Sequence, residues 1–282
     1  MANTISNEDI MNLRNQTGAG IMDCKNALKE ADGDISKAVE ILRKKGLSGL
    51  AKRSGRAMKE GIIVLKNNNS NYVMVEVDCE TDFVARNDEF KSVVNSFADE
   101  MLSRNDFNPA QDEASKEKLK NIAMKIGENM QIRRAVRYSL KPQTVIGSYL
   151  HSDLKKAAMV SLSYNPQISD ISKIETLAKN LAMQAVAMGA KWIKKEDVPQ
   201  EVIEKEKEIY KSTPQAQGKS EIAISKMLEG RIKKFYQEMC LIEQAYIRDT
   251  KLLVSDYIKS IEKETGVSIN IERFDTFIVG VE

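Results

Sequence analysis

"GIIVLKNNNSNYVMVEVD", residues 61–78, decides the fold. Two strand-like runs flank an Asn/Ser-rich turn, the pattern of a β-hairpin. In the second run Val73, Val75 and Val77 share one face, while Tyr72, Met74 and Glu76 take the other. Phe90, Val93, Val94, Phe97, Ala98 and Met101 then recur at helical spacing, with Asn87 or Asp88 placed to cap that helix. Leu119, Ile122, Ala123 and Ile126 extend a further helix over 113–131. The same order returns roughly 85 residues later, too long a period for a solenoid array. "VIGSYLH" (145–151), "AAMVSLSYN" (157–165) and the helical series Ile174, Leu177, Ala178, Leu181 and Ala185 repeat it. The reading is an α+β fold with a core of two related subdomains.

Outward from this core, residues 5–46 read as a small three-helix module. Breaks fall at "TGAG" and "ADGD", Asp34 serves as a cap, and Gly46 as the stop. Residues 43–59 carry seven basic side chains, no acidic one and three glycines, which reads as a linker with some helical character. Residues 197–240 form an αα-hairpin, Asp197 capping its first helix and Ile224, Leu228, Ile232, Phe235 and Met239 striping its second. Thr250 is placed to cap a last helix that Gly266 stops, before a closing strand, "VSINIERFDTFIV". The expected domains are 1–46, a linker 47–60, a first core subdomain 61–142, and a second over 143–282. The second includes the hairpin and a C-terminal module at about 241–266.

The 282 residues include 42% hydrophobic and 30% charged side chains, as in globular proteins that live in water. A net charge of +2 argues against a chain-wide grip on nucleic acid and favours a protein partner. No stretch is long and apolar enough to cross a bilayer, and "MANTISNEDI" lacks the marks of a targeting segment. Three cysteines, odd in number and far apart, suit a reducing cytosol and give neither a zinc nor a disulfide framework. The single histidine, His151, excludes a His-rich metal site. No cofactor is expected, because the sequence has no phosphate-cradling or dinucleotide-binding glycine motif at a strand end.

The stretch with the most chemistry is "VDCETDFVARN", residues 77–87. Glu80 and Asp82 are two residues apart and would share a face on a strand, where one could act as a general base. Cys79 could serve as a nucleophile, but no histidine lies within local reach. A lone Phe83 beside a strand reads, on spacing alone, as core. The second copy has "PQISDIS" at the corresponding place, so the fold does not require this stretch. Residues alone give an α+β protein with helical appendages that acts through interactions. An RNA-associated protein using the basic run 43–59 is the alternative, although no aromatic residues are interleaved there for stacking on bases.

Four blocks together carry more. "LRNQTGAGIMDCKNAL" (13–28), "VEVDCETDFVARNDEF" (75–90), "IGSYLH" (146–151) and "KMLEGRIKKFYQEMCLIEQAYI" (226–247) resemble, in order, bacterial translation elongation factor Ts. The resemblance implies a cytoplasmic guanine-nucleotide exchange factor for elongation factor Tu, without covalent chemistry. Its layout would be a ubiquitin-associated-like (UBA-like) three-helix domain, a linker, two similar core subdomains, a protruding helical hairpin and a C-terminal module. It implies that Asp82 and Phe83 enter the partner's GTPase domain near its magnesium and phosphate site. It further implies partner contacts from Arg14, Ile21, Met22 and Lys25, from Ile126 and Gly127 in "KIGENMQIRR", from His151, and from Ile247 and Arg248. Ile21 stands where the family often has Met, and the segment around Ile247 departs most from the common pattern. The hairpin 197–240 either mediates homodimer formation or only protrudes, and the sequence leaves both open.

Overall fold

The computed structural model describes residues 5–53, 55–68, 70–213 and 220–281, with the side chains of 47 and 50–53 left aside. The middle of the hairpin connection, residues 214–219, lies outside that set. The contacts divide the chain into two compact units. One gathers the chain up to Lys66, Val73–Arg137 and the chain from Val279 on; the other holds Asn67–Tyr72 and Tyr138–Ile278.

The first unit begins with α1 (Asn7–Thr17), α2 (Ile21–Glu30) and α3 (Ile35–Arg53). Ser6 and Asp9 form a reciprocal capping box at α1, and Gly18, at φ 67°, ends the helix. Asp34 caps α3, accepting from the Lys37 N–H at 3.0 Å. Leu13, Cys24, Ala27, Leu28 and Ala38 are fully buried among the three helices, a thin core made largely of small residues. Gly46 does not stop α3, which runs on to Arg53 through half of the expected linker. A Cβ at Gly46 would sit 3.2 Å from the Met124 side chain, so this glycine permits close approach of a neighbouring helix.

β1 (Glu60–Asn67) and β2 (Asn71–Cys79) form the quoted hairpin, followed by α4 (Asp82–Ala85), α5 (Asp88–Ser103), α6 (Glu113–Ile126) and β3 (Met130–Ser139). The expected helix over 113–131 is therefore too long. Gly127, at φ 89°, closes α6, and the chain enters a third strand that hydrogen-bonds beside β2. Asn87 caps α5, accepting from the N–H groups of Glu89 and Phe90 at 2.9 and 3.1 Å. The alternation of β2 held as read, and both faces are buried: Val73, Val75, Val77 and Cys79 on one, Met74, Glu76 and Asp78 on the other. The two carboxylates are met by Arg134, whose Nε lies 2.6 Å from Glu76, and by Arg133, whose Nη1 lies 3.5 Å from Asp78.

In the second unit β4 (Thr144–Leu150) pairs antiparallel with β5 (Lys156–Asn165), and α7 (Ser172–Met188) covers the sheet. After α8 (Gln200–Lys211), α9 (Glu221–Met239), β6 (Ala245–Tyr246), β7 (Asp249–Leu253) and α10 (Val254–Thr265), the chain returns as β8 (Ser268–Ile278), antiparallel to β5. The strand orders β1-β2-β3 and β4-β5-β8 have the same plan, a hairpin extended at its second strand. This is the repeat read from the sequence, and the class is α+β. The core of this unit joins Leu162, Ile174, Leu177, Leu181 and Ala185 to Val254, Ile258 and Ile271. A Cβ at Gly147 would fall 2.0 Å from the Ala178 carbonyl carbon, so β4 meets α7 backbone to backbone.

Two expected caps are displaced. Pro199 stands at the N-cap of α8, and Asp197 instead accepts from the Lys194 N–H within a short 3-10 turn. Thr250 lies inside β7, and α10 begins at Val254. Ile224, Leu228, Ile232, Phe235 and Met239 do form the inner stripe of α9, although only Phe235 among them is fully covered.

Candidate functional site

Phe83 is 82% exposed, which overturns its reading as core. The reason is local. Val84 and Ala85, the next two residues of α4, turn into the protein and are buried, so the ring of Phe83 must turn out. Asp82 is half-buried beside it, and its carboxylate pairs with Arg86 Nη2 at 3.1 Å, one helical turn on. An exposed pair of this kind contributes less than about 1 kcal/mol, so an incoming charge can separate it.

A four-residue helix cannot hold itself in place. The surrounding contacts hold it. Thr81 is its N-cap, its Oγ1 facing the Val84 N–H at 3.5 Å. Thr81 is in turn gripped by Glu128: its N–H donates to Oε2 at 3.1 Å and its hydroxyl to Oε1 at 2.8 Å. Glu80 accepts from the Asn129 N–H at 2.8 Å and from Arg56 Nη1 at 3.1 Å. The Cys79 thiol donates to the Thr81 carbonyl at 3.2 Å. Burial, with Glu128 and Glu60 nearby, pushes the Cys79 thiol up to about 12, so it stays a protonated donor and is no nucleophile. Glu80 lies on the turn after β2, committed to these partners, so the paired-carboxylate geometry expected of Glu80 and Asp82 does not arise.

The same end of α6 carries Ile126 and Gly127, both half-buried. Thus "TDF" and "KIGEN" are brought together through Thr81–Glu128 and Glu80–Asn129. The "TGAG" turn arrives there too. Lys125 pairs with Glu89 at 2.8 Å, and its aliphatic stem lies where a Cβ on Gly18 would fall, 2.2 Å from Cε. Beyond that turn, Ile21 and Met22 open α2 with side chains 48% and 65% exposed. Arg14 and Lys25 are exposed as well. Apolar side chains left in water at a helix start suit a protein partner.

In the second unit His151 stands at the tip of the β4–β5 hairpin, half-buried, with Nδ1 3.0 Å from Asp153 Oδ1 and its ring edge-on to Tyr149. Burial acts to raise the Asp153 pKa, but the Lys155 N–H and His151 outweigh it, and the carboxyl sits below its ordinary value. Ile247 and Arg248 form the tip of another hairpin, between β6 and β7. The Ile247 N–H donates to Gln184 Oε1 at 2.9 Å, and its side chain packs on the core of that unit, so only Arg248 is fully exposed. The sequence reading overlooked Glu128, Asn129 and Arg56. Glu128 and Asn129 directly follow two named candidates, but the order of residues does not disclose what they brace.

Residues 80–281 match the family model described as elongation factor TS. The chain belongs to the elongation factor Ts family. It is therefore a translation elongation factor. It is 41% identical over 290 residues to elongation factor Ts of Trichlorobacter lovleyi, covering 98% of this chain and 93% of that protein. Elongation factor Ts of Aquifex aeolicus is 37% identical over 297 residues, covering 99% of both. That of Clostridium botulinum strain Alaska E43 is 38% identical over 285 residues, covering 97% and 92%. Among the described residues no group of histidine, cysteine and carboxylate side chains could hold a metal ion, and no helix is long and apolar enough to cross a membrane.

Proposed function

We propose that this factor acts in the cytoplasm as the guanine-nucleotide exchange factor of elongation factor Tu. It inserts Phe83 and Asp82 near the magnesium and phosphate site of that GTPase. The observation that carries the reading is a large aromatic ring, 82% exposed, on a short helix whose neighbours are buried and braced. An unused core residue would not stand in water on so firm a base.

The mechanism needs no bond to form or break. A bound nucleotide leaves slowly because its phosphates and magnesium hold it. A protein that binds the nucleotide-free GTPase more tightly must weaken nucleotide binding by the same factor, and the nucleotide must weaken it in turn. Phe83 supplies a wedge between elements of the partner. Asp82, once freed from Arg86, brings a carboxylate against a magnesium ion that tolerates little departure from octahedral geometry. Arg14, Ile21, Met22 and Lys25 on the helical module, Ile126 and Gly127 beside the wedge, and His151, Ile247 and Arg248 on the second unit supply holding contacts. The division of labour is that Asp82 and Phe83 set the release rate, while the helical module and His151 set affinity.

The test is stopped-flow release of fluorescent GDP from elongation factor Tu, with and without the factor. Acceleration that saturates with factor concentration supports the proposal. An unchanged release rate at every concentration refutes it.

A further inference from the structure

From the contacts around Thr81 we infer that Glu128 is a positioning residue for exchange, acting on the partner only through the placement of Phe83 and Asp82. The inference rests on the wedge reading proposed above. In a self-contained capping box, the residue at the third helical position accepts from the backbone N–H of its own N-cap. In α4 that position is Val84, which has no acceptor to offer. Glu128, 47 residues further along the chain, takes its place. One carboxylate oxygen accepts the Thr81 N–H, and the other accepts the Thr81 hydroxyl. Committing the hydroxyl hydrogen to Glu128 leaves an oxygen lone pair for the Val84 N–H, so the carboxylate completes the cap from outside the helix.

The geometry around Glu128 serves this contact. Gly127 adopts φ 89°, and a Cβ there would meet nothing within 4 Å, so the glycine is required by the turn and not by crowding. That turn ends α6 and delivers Glu128 to Thr81 and the Asn129 N–H to Glu80 on successive residues. The brace therefore grips the two residues immediately before Asp82. Both bonds to Glu128 are charge-assisted and half-buried, the kind that fixes orientation most firmly. Phe83, 82% exposed, inherits its direction from this grip.

The experiment uses the full chain with Glu128→Ala, Glu128→Gln, Phe83→Ala and the double variant Glu128→Ala/Phe83→Ala. Maximal GDP release from elongation factor Tu at saturating factor is read separately from the half-saturating concentration. Glu128→Ala should lower the maximal rate about tenfold, short of the roughly hundredfold that ångström misplacement of acting groups can reach. The half-saturating concentration should move less than about twofold, because Glu128 is not itself one of the holding contacts. Glu128→Gln keeps one acceptor and should recover part of the rate. In the Phe83→Ala background, Glu128→Ala should have little further effect, the mark of two residues acting as one.

Amide hydrogen exchange of Thr81 and Val84, measured on the factor alone, should quicken in Glu128→Ala with the rest of the protein unchanged. If Glu128→Ala fails to fold, Glu128→Gln and Thr81→Ala take its place in the same measurements. A slow Phe83→Ala beside a full-rate Glu128 variant overturns the brace alone. So do independent, multiplying losses in the double variant, or a loss confined to affinity. A full-rate Phe83→Ala overturns the wedge reading and this inference with it.

Discussion

Truncating Phe83 to alanine separates what the ring does for the fold from what it does for the partner. Within the protein the ring touches little: it is 82% exposed, and the helix that carries it is held by Thr81, Glu80 and two buried neighbours. Surface changes of this kind move stability by no more than about 0.5 kcal/mol, so the melting temperature should stay within a degree or two. In the complex the change is large. An aromatic ring offers about 150 Å² for burial, and at about 25 cal/mol per Å² that amounts to about 4 kcal/mol. Opening the partner to admit the ring consumes part of this, and about 2 kcal/mol is the usual floor for such an anchor. A loss of about 2 kcal/mol is roughly thirtyfold in rate when the contact forms only in the transition to release. The assay is maximal release of fluorescent GDP at saturating factor, with affinity for the GTPase read in parallel. If Phe83→Ala keeps the maximal rate and only weakens binding, the ring is a holding contact and the wedge argument is wrong.

Other consequences can be checked on the same protein. Met22→Ser should weaken binding to elongation factor Tu severalfold in calorimetry while leaving the maximal release rate unchanged, because its 65% exposed side chain belongs to the proposed holding surface. Gly147→Ala should destabilise the fold by about 3 kcal/mol or more in denaturant unfolding, since the added methyl would fall on the backbone of α7 and cannot be relieved by a rotamer change. Burial holds the pKa values of Glu76 and Asp78 above the ordinary carboxylate range, against the pull of Arg134 and Arg133. The unfolded chain then gives up these protons first as pH rises, so the two groups cost stability increasingly above pH about 4. Glu76→Gln should therefore gain stability relative to the parent protein between pH 4 and 8, and a constant difference across that range would contradict the assignment. Cys79 and Cys240 are buried thiols with pKa values pushed up to about 12 and about 11, so neither should react with a thiol reagent at pH 8 until the protein unfolds.

The repeated hairpin–helix pattern was legible because periodicity of two and of 3.6 is written directly in side-chain polarity. The valines of β2 and the series Phe90, Val93, Val94, Phe97 and Met101 all lie where their spacing put them. Boundaries set by tertiary contact were not. Gly46 reads as a stop, yet α3 runs through it, and the missing side chain leaves room for Met124. The strand after Gly127 was hidden because Arg134 interrupts the alternation of Met130, Ile132, Val136 and Tyr138 in "MQIRRAVRYS". For the site, the residue types in "CETDFVARN" drew attention at once, but their spacing alone pointed to a buried Phe83 and a reactive Cys79. The family resemblance pointed outward for Phe83, whose ring is 82% exposed. Glu128 was not legible at all: a carboxylate 47 residues from its partner leaves no local signature.

The central claim is that this factor prefers the empty GTPase, and its most direct test is a comparison of two affinities. Calorimetric binding to nucleotide-free elongation factor Tu and to the same protein saturated with GDP and magnesium should differ by about 5- to 150-fold, favouring the empty form, the usual range for a coupling between linked sites. Equal affinity for the two forms would leave no free-energy difference to drive release, and would contradict the account.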